Sequence, residues 1–255
     1  MSKLYFVGGS KGGVGKSFMS IAVCDFLTQS LKKKITLIES DTSNPDVGKI
    51  YSKDEAVDFK SLKLDTADGW IELVNICDGL KTDVVINSAA RANEAITDFS
   101  GTLTGSLDEL KMELVSFWVI NRQRDSIELL KKYMEIVTVG PLHVVRNTFY
   151  GEPAKFELFN ASKLKGEVEK RGATIDFPDL ADRVADDLYS KRLTIAQALV
   201  DMPLGSRAEL KRWRNVIWTI LSSIGVGSDG PSPAPKAKDA PKEASKEEAK
   251  EGGKS

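Results

Sequence analysis

Cysteine and histidine are nearly missing from this chain. Its 255 residues hold two cysteines, Cys24 and Cys77, and a single histidine, His143. Two distant thiols form neither a disulfide framework nor a CxxC pair, and one histidine gives no ligand spacing. No metal cluster is expected from them, and two reduced, buried thiols are expected. An excess of one charge is missing too. There are 36 Lys and Arg against 37 Asp and Glu, for a net charge of -1. No chain-wide basic field marks a nucleic-acid binder, which leaves only local patches. No apolar run approaches the ~18 residues of a membrane-spanning helix. The segment Met1-Ser2-Lys3 leads straight into an apolar strand, without the long apolar stretch and small-residue cleavage site of a signal peptide, so a cytoplasmic address is expected. What is present is 41% hydrophobic and 29% charged residues, enough for one packed α/β domain with a tail.

Strand and helix patterns alternate along the chain. Short apolar runs at Leu4–Val7, Ile35–Ile38, Ala56–Leu64, Asp83–Asn87, Leu114–Ile120, Val137–Val145 and Ala173–Phe177 predict strands. Helical rhythm predicts helices over Ser17–Leu31, Trp70–Leu80, Leu103–Met112, Ser126–Met134, Ala154–Arg171, Asp179–Ser190 and Arg207–Ile224. This alternation predicts a mostly parallel sheet with helices on both faces, a single domain over residues 1–225. After Gly225 the composition turns to Pro, Ala, Lys, Glu, Gly and Ser. Such a stretch buries too little apolar surface to offset its ordering entropy, so residues 226–255 are expected to be a disordered, charge-balanced tail.

The chemistry concentrates in Ser10-Lys11-Gly12-Gly13-Val14-Gly15-Lys16-Ser17, between the first strand and the first helix. Glycines let successive backbone N–H groups point at phosphate oxygens, and the following helix adds its positive end. Lys16 is placed to reach the β- and γ-phosphates, and the Ser17 hydroxyl to ligate Mg²⁺. The backbone from Gly12, Gly13, Val14 and Gly15 through Lys16, Ser17 and Phe18 is the expected phosphate cradle, with ATP as the expected ligand. One position departs from the phosphate-loop pattern: its first glycine is Ser10.

Lys11 is a lysine that the simple motif does not need. The run Lys11-Gly12-Gly13-Val14-Gly15-Lys16-Ser17 resembles the deviant Walker-A ATPases, the ParA/MinD group. The resemblance implies that Lys11 reaches across an ATP-dependent homodimer to the partner's phosphates, where its charge stabilises the transition state. It implies catalytic roles for Lys11, Lys16 and Asp41, the last from Ile38-Glu39-Ser40-Asp41, where the family carries an acidic pair. Asp41 would orient water near the γ-phosphate and Mg²⁺. Asp46 reads as a solvated loop residue after the Asn44-Pro45 turn. Trp118–Arg122 and Leu142–Asn147 resemble two late family strands, and Ile175–Pro178 the element before the family's last helices. Asn147 then either contacts the base or simply ends its strand. The likeness spans about Lys3 to Ile224.

The pattern breaks at the fourth strand, Asp83-Val84-Val85-Ile86-Asn87. The family's Walker-B aspartate is here Asn87, and Asp83 stands at the wrong end of the strand. An amide brings one neutral oxygen and no charge, so nucleotide binding is expected to persist while hydrolysis is slow or needs a stimulating partner protein. Cys24 and Cys77 precede the position where nitrogenase iron-protein relatives carry cluster ligands, which excludes that branch. A ligase of the dethiobiotin or cobyrinate amide type stays open. Three functions compete. A plasmid partition or transfer ATPase would bind DNA nonspecifically through Arg207, Lys211, Arg212 and Arg214, or Lys163, Lys165, Lys170 and Arg171, which also read as solvated helix faces. The run Gly15–Phe18 and the short first segment resemble proteins encoded on conjugative plasmids. A MinD-like membrane switch would use Trp213, Ile217, Trp218, Ile220, Leu221 and Ile224, although a last helix packed on the sheet has the same pattern. A non-hydrolysing ATP-dependent binding module is the third.

Overall fold

The computed structural model describes residues 1–89 and 92–228. Among the described residues seven strands form one sheet: β1 (Ser2–Gly9), β2 (Ile35–Glu39), β3 (Val57–Ser61), β4 (Asp83–Asn87), β5 (Met112–Ile120), β6 (Leu142–Asn147) and β7 (Thr174–Phe177). Their order is β3-β2-β4-β1-β5-β6-β7, and every pairing is parallel. The α-helices of the described residues are α1 (Lys16–Asp25), α2 (Asp46–Tyr51), α3 (Ala67–Cys77), α4 (Asn93–Leu110), α5 (Arg124–Ile136), α6 (Glu157–Asn160), α7 (Lys163–Arg171), α8 (Asp182–Ser190), α9 (Ile195–Asp201) and α10 (Leu204–Ser223).

Parallel strands between two helix layers are buried on both faces, which explains their unbroken apolar runs. Alternate residues of β1 serve opposite layers. Tyr5 and Val7 join α1, α2, α8, α9 and α10 in one core, through Met19, Val47, Leu188, Ala198 and Trp213. Leu4 and Phe6 join α3 to α7 in the other, through Trp70, Leu103, Leu130, Phe159 and Val168. β1 is central, with β4 on one side and β5 on the other. Its C-terminal end therefore opens where successive connections leave in opposite directions, the place where ligands bind in such sheets.

Several elements differ from the sequence reading. The predicted helix over Ala154–Arg171 is three pieces: a 3-10 turn at Pro153–Lys155, then α6, then α7. The break has a cause. Phe156 and Phe159 are pulled into the core, and the Asn160 side chain is committed to Pro153 O at 2.9 Å and to the Arg146 guanidinium at 2.7 Å. The strand expected from Val137 starts only at Leu142, because Gly140 (φ 70°) and Pro141 turn the chain first. The first helix passes into a π turn at Phe26–Ser30. Asp46 is not a loop residue: it opens α2, with its charge at the positive end of that helix. Thr194 and Gln197 form a capping box that starts α9, a helix outside the predicted ones. Both cysteines are buried and free. Val226 is 5% exposed and Gly227 N donates to the Tyr5 hydroxyl at 2.7 Å, so the chain is still tied to the sheet past Gly225. The expected disordered tail from 229 onward lies outside the described residues.

Candidate nucleotide site

β1 delivers the loop. Gly13 and Gly15 hold φ of 78° and 106°, the left-handed region that disfavours side chains. At Gly15 a Cβ would also lie 2.5 Å from Asn147 Nδ2. Gly15 caps α1 without offering a side-chain acceptor, and the first helical bond runs from Met19 N to Gly15 O at 3.0 Å. The N–H groups of Lys16, Ser17 and Phe18 are therefore left over by the helix. Together with the helix dipole they make an anion site at the loop. The Phe18 ring turns away from it, stacking on Trp213 with centroids 4.9 Å apart and meeting Phe177 edge-on. Phe18 thus has only its backbone to offer a phosphate.

The two lysines of the loop are treated differently. Lys16 is buried and its Nζ donates to Lys11 O at 2.7 Å. Burial pushes its pKa down to about 8, against the pull of the Asp41 charge. A phosphate at this loop would supply the counter-charge that a buried ammonium lacks. Lys11 stands outside, half-exposed, in an ion pair with Asp125 at the start of α5, and its Nζ lies 3.5 Å from Gln123 Oε1.

Ser10, the departure from the glycine pattern, is buried and shares a 2.6 Å hydrogen bond with Ser126 Oγ. Ser126 in turn donates to Asn121 Oδ1 at 2.7 Å. The serine therefore fastens the loop's first turn to the end of β5 and the start of α5. Two further clamps come from the end of β6. Asn147 Nδ2 donates to Val14 O at 2.9 Å, and its Oδ1 accepts from Phe149 N at 3.1 Å. The Tyr150 hydroxyl donates to Gly13 O at 2.7 Å. Neither Ser126 nor Tyr150 was legible as a site residue, since no spacing links them to the loop. In the described structure Asn147 holds the loop; its side-chain bonds are made to backbone.

The ends of β2 and β4 meet beside Ser17. The register places Glu39 opposite Asn87. Asn87 Nδ2 donates to Glu39 Oε1 at 2.8 Å and approaches Ser17 Oγ at 3.5 Å, while Asn87 Oδ1 accepts from Ser20 Oγ at 2.9 Å. Glu39 is fully buried, and desolvation raises its pKa to about 7 in spite of the hydrogen bonds it accepts. Among the described residues its second oxygen, Oε2, makes no hydrogen bond of good geometry, although the Gly48 backbone N–H also acts on the carboxylate. Asp41 lies just beyond. Its Oδ1 accepts from Ser43 Oγ at 2.6 Å and from Asn44 N at 3.0 Å, so it shapes the loop that leaves β2. A cleft of about 450 Å³ opens there, lined by Asp41, Ser43, Lys63, Asp65 and Ala89 among others. Among the described residues no group of three or more His, Cys, Asp and Glu could hold a metal by itself. The residues do fit a magnesium ion that arrives with phosphates: a hydroxyl at Ser17, a carboxylate at Asp41 and a weakly partnered carboxylate oxygen at Glu39.

The basic and apolar residues expected to meet DNA or membrane divide between contacts inside the chain and exposed positions. Arg214 grips Asp25, which is 2% exposed, through two hydrogen bonds of 2.7 and 2.8 Å. Arg171 donates to the carbonyls of Val137, Val139 and Gly140. Arg212 is paired with Glu209, and Lys165 lies 3.9 Å from Glu169. The Arg207 side chain is half-buried. Lys163, Lys170 and Lys211 remain exposed. They do not make one stripe, because α7 packs on one face of the sheet and α10 on the other. On α10, Trp213, Ile217 and Leu221 are core residues, with Trp218, Ile220 and Ile224 packed against them. The apolar face expected to lie in a membrane is thus the face that α10 turns to the sheet. No helix among the described residues is long and apolar enough to cross a membrane.

Comparison with known proteins agrees with this geometry. Residues 5–149 match the family model of the CobQ/CobB/MinD/ParA nucleotide binding domain. Protein MobD of Acidithiobacillus ferrooxidans is 54% identical over 224 residues, covering 87% of this chain and 97% of its own length. Among solved structures, one assigned as a plasmid partition protein of Borrelia burgdorferi, bound to AMPPNP, superposes with a TM-score of 0.54 at 16% identity, covering 88% of this chain and all of its own. The septum site-determining protein MinD of Pyrococcus horikoshii, complexed with Mg-ADP, gives 0.52 at 12% identity, covering 85% and 96%. At those identities the two structures speak for the fold alone. The family match covers more than half of the chain and includes the phosphate loop, β2 and β4, and the chain belongs to the CobQ/CobB/MinD/ParA family of nucleotide-binding proteins.

Proposed function

We propose that this protein is an ATP-binding, dimerising switch that acts in plasmid mobilisation or partition, with hydrolysis that is weak until a partner protein stimulates it. One observation carries the reading. The loop has two lysines with separate tasks: Lys16 is buried against the loop, where it can serve only its own phosphates, while Lys11 stands half-exposed on the outer side. An exposed cation beside an anion site is available to a second copy's phosphates, and two copies facing each other would each complete the other's site. The relation to MobD supports the assignment to mobilisation.

The residues divide the work as follows. The loop N–H groups and Lys16 bind the phosphates. Ser17 and Asp41 would hold Mg²⁺, Asp41 through water, and the bound ion would supply charge neutralisation for the phosphates. Asn147 and Tyr150 keep the loop curled. Asn87 leaves the metal site without the carboxylate that would fix it from β4, which favours slow turnover. The same amide also favours a second reading, a module that binds ATP, dimerises and recruits a partner without cleaving the nucleotide. Nonspecific DNA contacts would fall to Lys211 and Arg212 on α10 or to Lys163 and Lys170 on α7.

Sizing the purified protein with ATP and with ADP, wild type against Lys11→Ala, tests the proposal. A dimer with ATP, absent with ADP and in the variant, is expected. A protein that stays monomeric in ATP sinks it. Phosphate release with and without plasmid DNA and partner extract then separates the slow ATPase from the non-hydrolysing module.

A further inference from the structure

The end of β4 has lost a carboxylate, and the amide standing there is not idle. Asn87 Nδ2 bridges two groups: Glu39 Oε1 at 2.8 Å and Ser17 Oγ at 3.5 Å. Its Oδ1 is occupied by the Ser20 hydroxyl at 2.9 Å. With Oδ1 turned to Ser20 and Nδ2 turned to Glu39 and Ser17, Asn87 presents donors, not acceptors, on the side of Ser17. A donor facing a cation or its bound water is the wrong polarity. The acceptor nearby is Glu39. The parallel register sets it level with Asn87 on the neighbouring strand. It is wholly buried, and among the described residues its Oε2 makes no hydrogen bond of good geometry, the Gly48 backbone N–H being a further donor beside the carboxylate. A buried carboxylate oxygen this weakly partnered is costly to maintain and keeps room for a ligand or a water.

We propose that Glu39 supplies the negative charge missing at Asn87, so that the outer-shell carboxylate of the magnesium site stands at the end of β2 instead of β4, oriented by the Asn87 amide. The inference rests on the Mg-nucleotide reading above and deepens it. Asn87 acts here as a positioning residue: by donating to Oε1 it fixes the carboxylate and leaves Oε2 to accept from metal-bound water. The charge reaches the site from the strand next to β4, whose pairing with β2 fixes its height.

The test compares nucleotide affinity with and without magnesium, using a fluorescent ADP analogue, and Mn²⁺ binding read by electron paramagnetic resonance. The proteins are wild type, Glu39→Gln and the exchanged pair Glu39→Gln/Asn87→Asp. Wild type is expected to bind nucleotide more tightly with the metal. Glu39→Gln should keep its metal-free affinity and lose about 10–100-fold in Mn²⁺ affinity, the usual effect of removing an outer-shell partner. The exchanged pair should recover most of that loss, since it returns the carboxylate to β4. Glu39→Gln that holds Mn²⁺ within about twofold of wild type overturns the proposal, as does an exchanged pair that folds yet recovers nothing. Failure of wild type to bind the nucleotide at all would overturn the function itself. Intact nucleotide binding with an unchanged metal response overturns only the role of Glu39.

Discussion

Lys11 is held to Asp125 by an ion pair that spans from the phosphate loop to the first turn of α5. Gln123 Oε1, 3.5 Å from the same ammonium, steadies it. A lysine that must reach another copy has first to leave this partner, so the pair opposes dimerisation. Both groups are partly exposed, with side chains 49% and 33% accessible, which limits the pair to about 1 kcal/mol. Asp125→Asn should therefore raise the ATP-dependent association constant by about fivefold for each latch released. Analytical ultracentrifugation across a concentration series reads this directly. An unchanged constant would show that the latch does not compete with dimer contacts.

Asn147 offers a way to separate holding the loop from reading the base. Its side chain is committed to Val14 O and Phe149 N. Asn147→Ala strands one buried carbonyl, at a cost of about 1–3 kcal/mol. If the residue acts through the loop, the loss of affinity falls equally on ATP and GTP. If it also contacts adenine, the ATP loss exceeds the GTP loss. Equal losses, measured by competition against one fluorescent nucleotide, are the expected result.

The sheet was legible because parallel strands buried on both faces leave continuous apolar runs, and Leu4–Val7 and Asp83–Asn87 needed nothing else. The loop was legible because glycines and a lysine at fixed spacing have few other uses. Tertiary contacts were not. Nothing in the sequence tells that Tyr150 closes on Gly13, or that Ser10 finds Ser126 more than a hundred residues away. Arg214 shows the same gap from the other side. On a helical wheel it belongs to a basic face, but Asp25 takes it, and an acid inside an apolar helix gives no local sign of which cation it will pair with. Glu39 stood in plain view as half of an acidic pair, yet its bearing on Asn87 needed the register of β2 against β4.

His143 makes stability depend on pH. It is buried, stacked on Phe117 with centroids 5.4 Å apart, and its Nδ1 accepts from Ala173 N at 3.2 Å. Burial, with the Lys3 charge adding to it, lowers its pKa from 6.5 to about 4. Between those values the unfolded chain binds the proton and the native one does not, so stability rises with pH across this window. The contribution is intact above about pH 6.5 and is lost progressively toward pH 4, reaching about 3 kcal/mol for a shift of this size. Glu39, with its pKa raised to about 7, acts with the opposite sign: its share is complete below about pH 4.5 and fades toward pH 7. The wild-type curve therefore mixes the two. Subtracting the curve of His143→Asn, whose amide oxygen can still accept from Ala173, isolates the histidine. Urea unfolding at pH 4.5 and 7.5 should show the stability difference between wild type and variant shifting in favour of the variant at the lower pH.

Asp25 and Arg214 join the end of α1 to α10. The guanidinium makes two hydrogen bonds to the carboxylate and lies over the Trp218 ring at 4.2 Å, while Trp218 Nε1 donates to the same carboxylate at 2.9 Å. Removing only the cation leaves a buried charge with one indole donor. Arg214→Ala should cost about 3–5 kcal/mol. Asp25→Asn/Arg214→Met replaces both charges and keeps much of the volume, so it should cost clearly less than the single change. Chemical denaturation of the three proteins measures the difference. DNA binding gives a second, independent readout. A residue folded into this cluster should have little direct share in phosphate contacts, so the double variant should bind plasmid DNA with the wild-type salt dependence, whereas Lys211→Ala should flatten the slope by about one if α10 carries the contacts. A flattened slope in the double variant would instead mean that Arg214 leaves Asp25 when DNA is present.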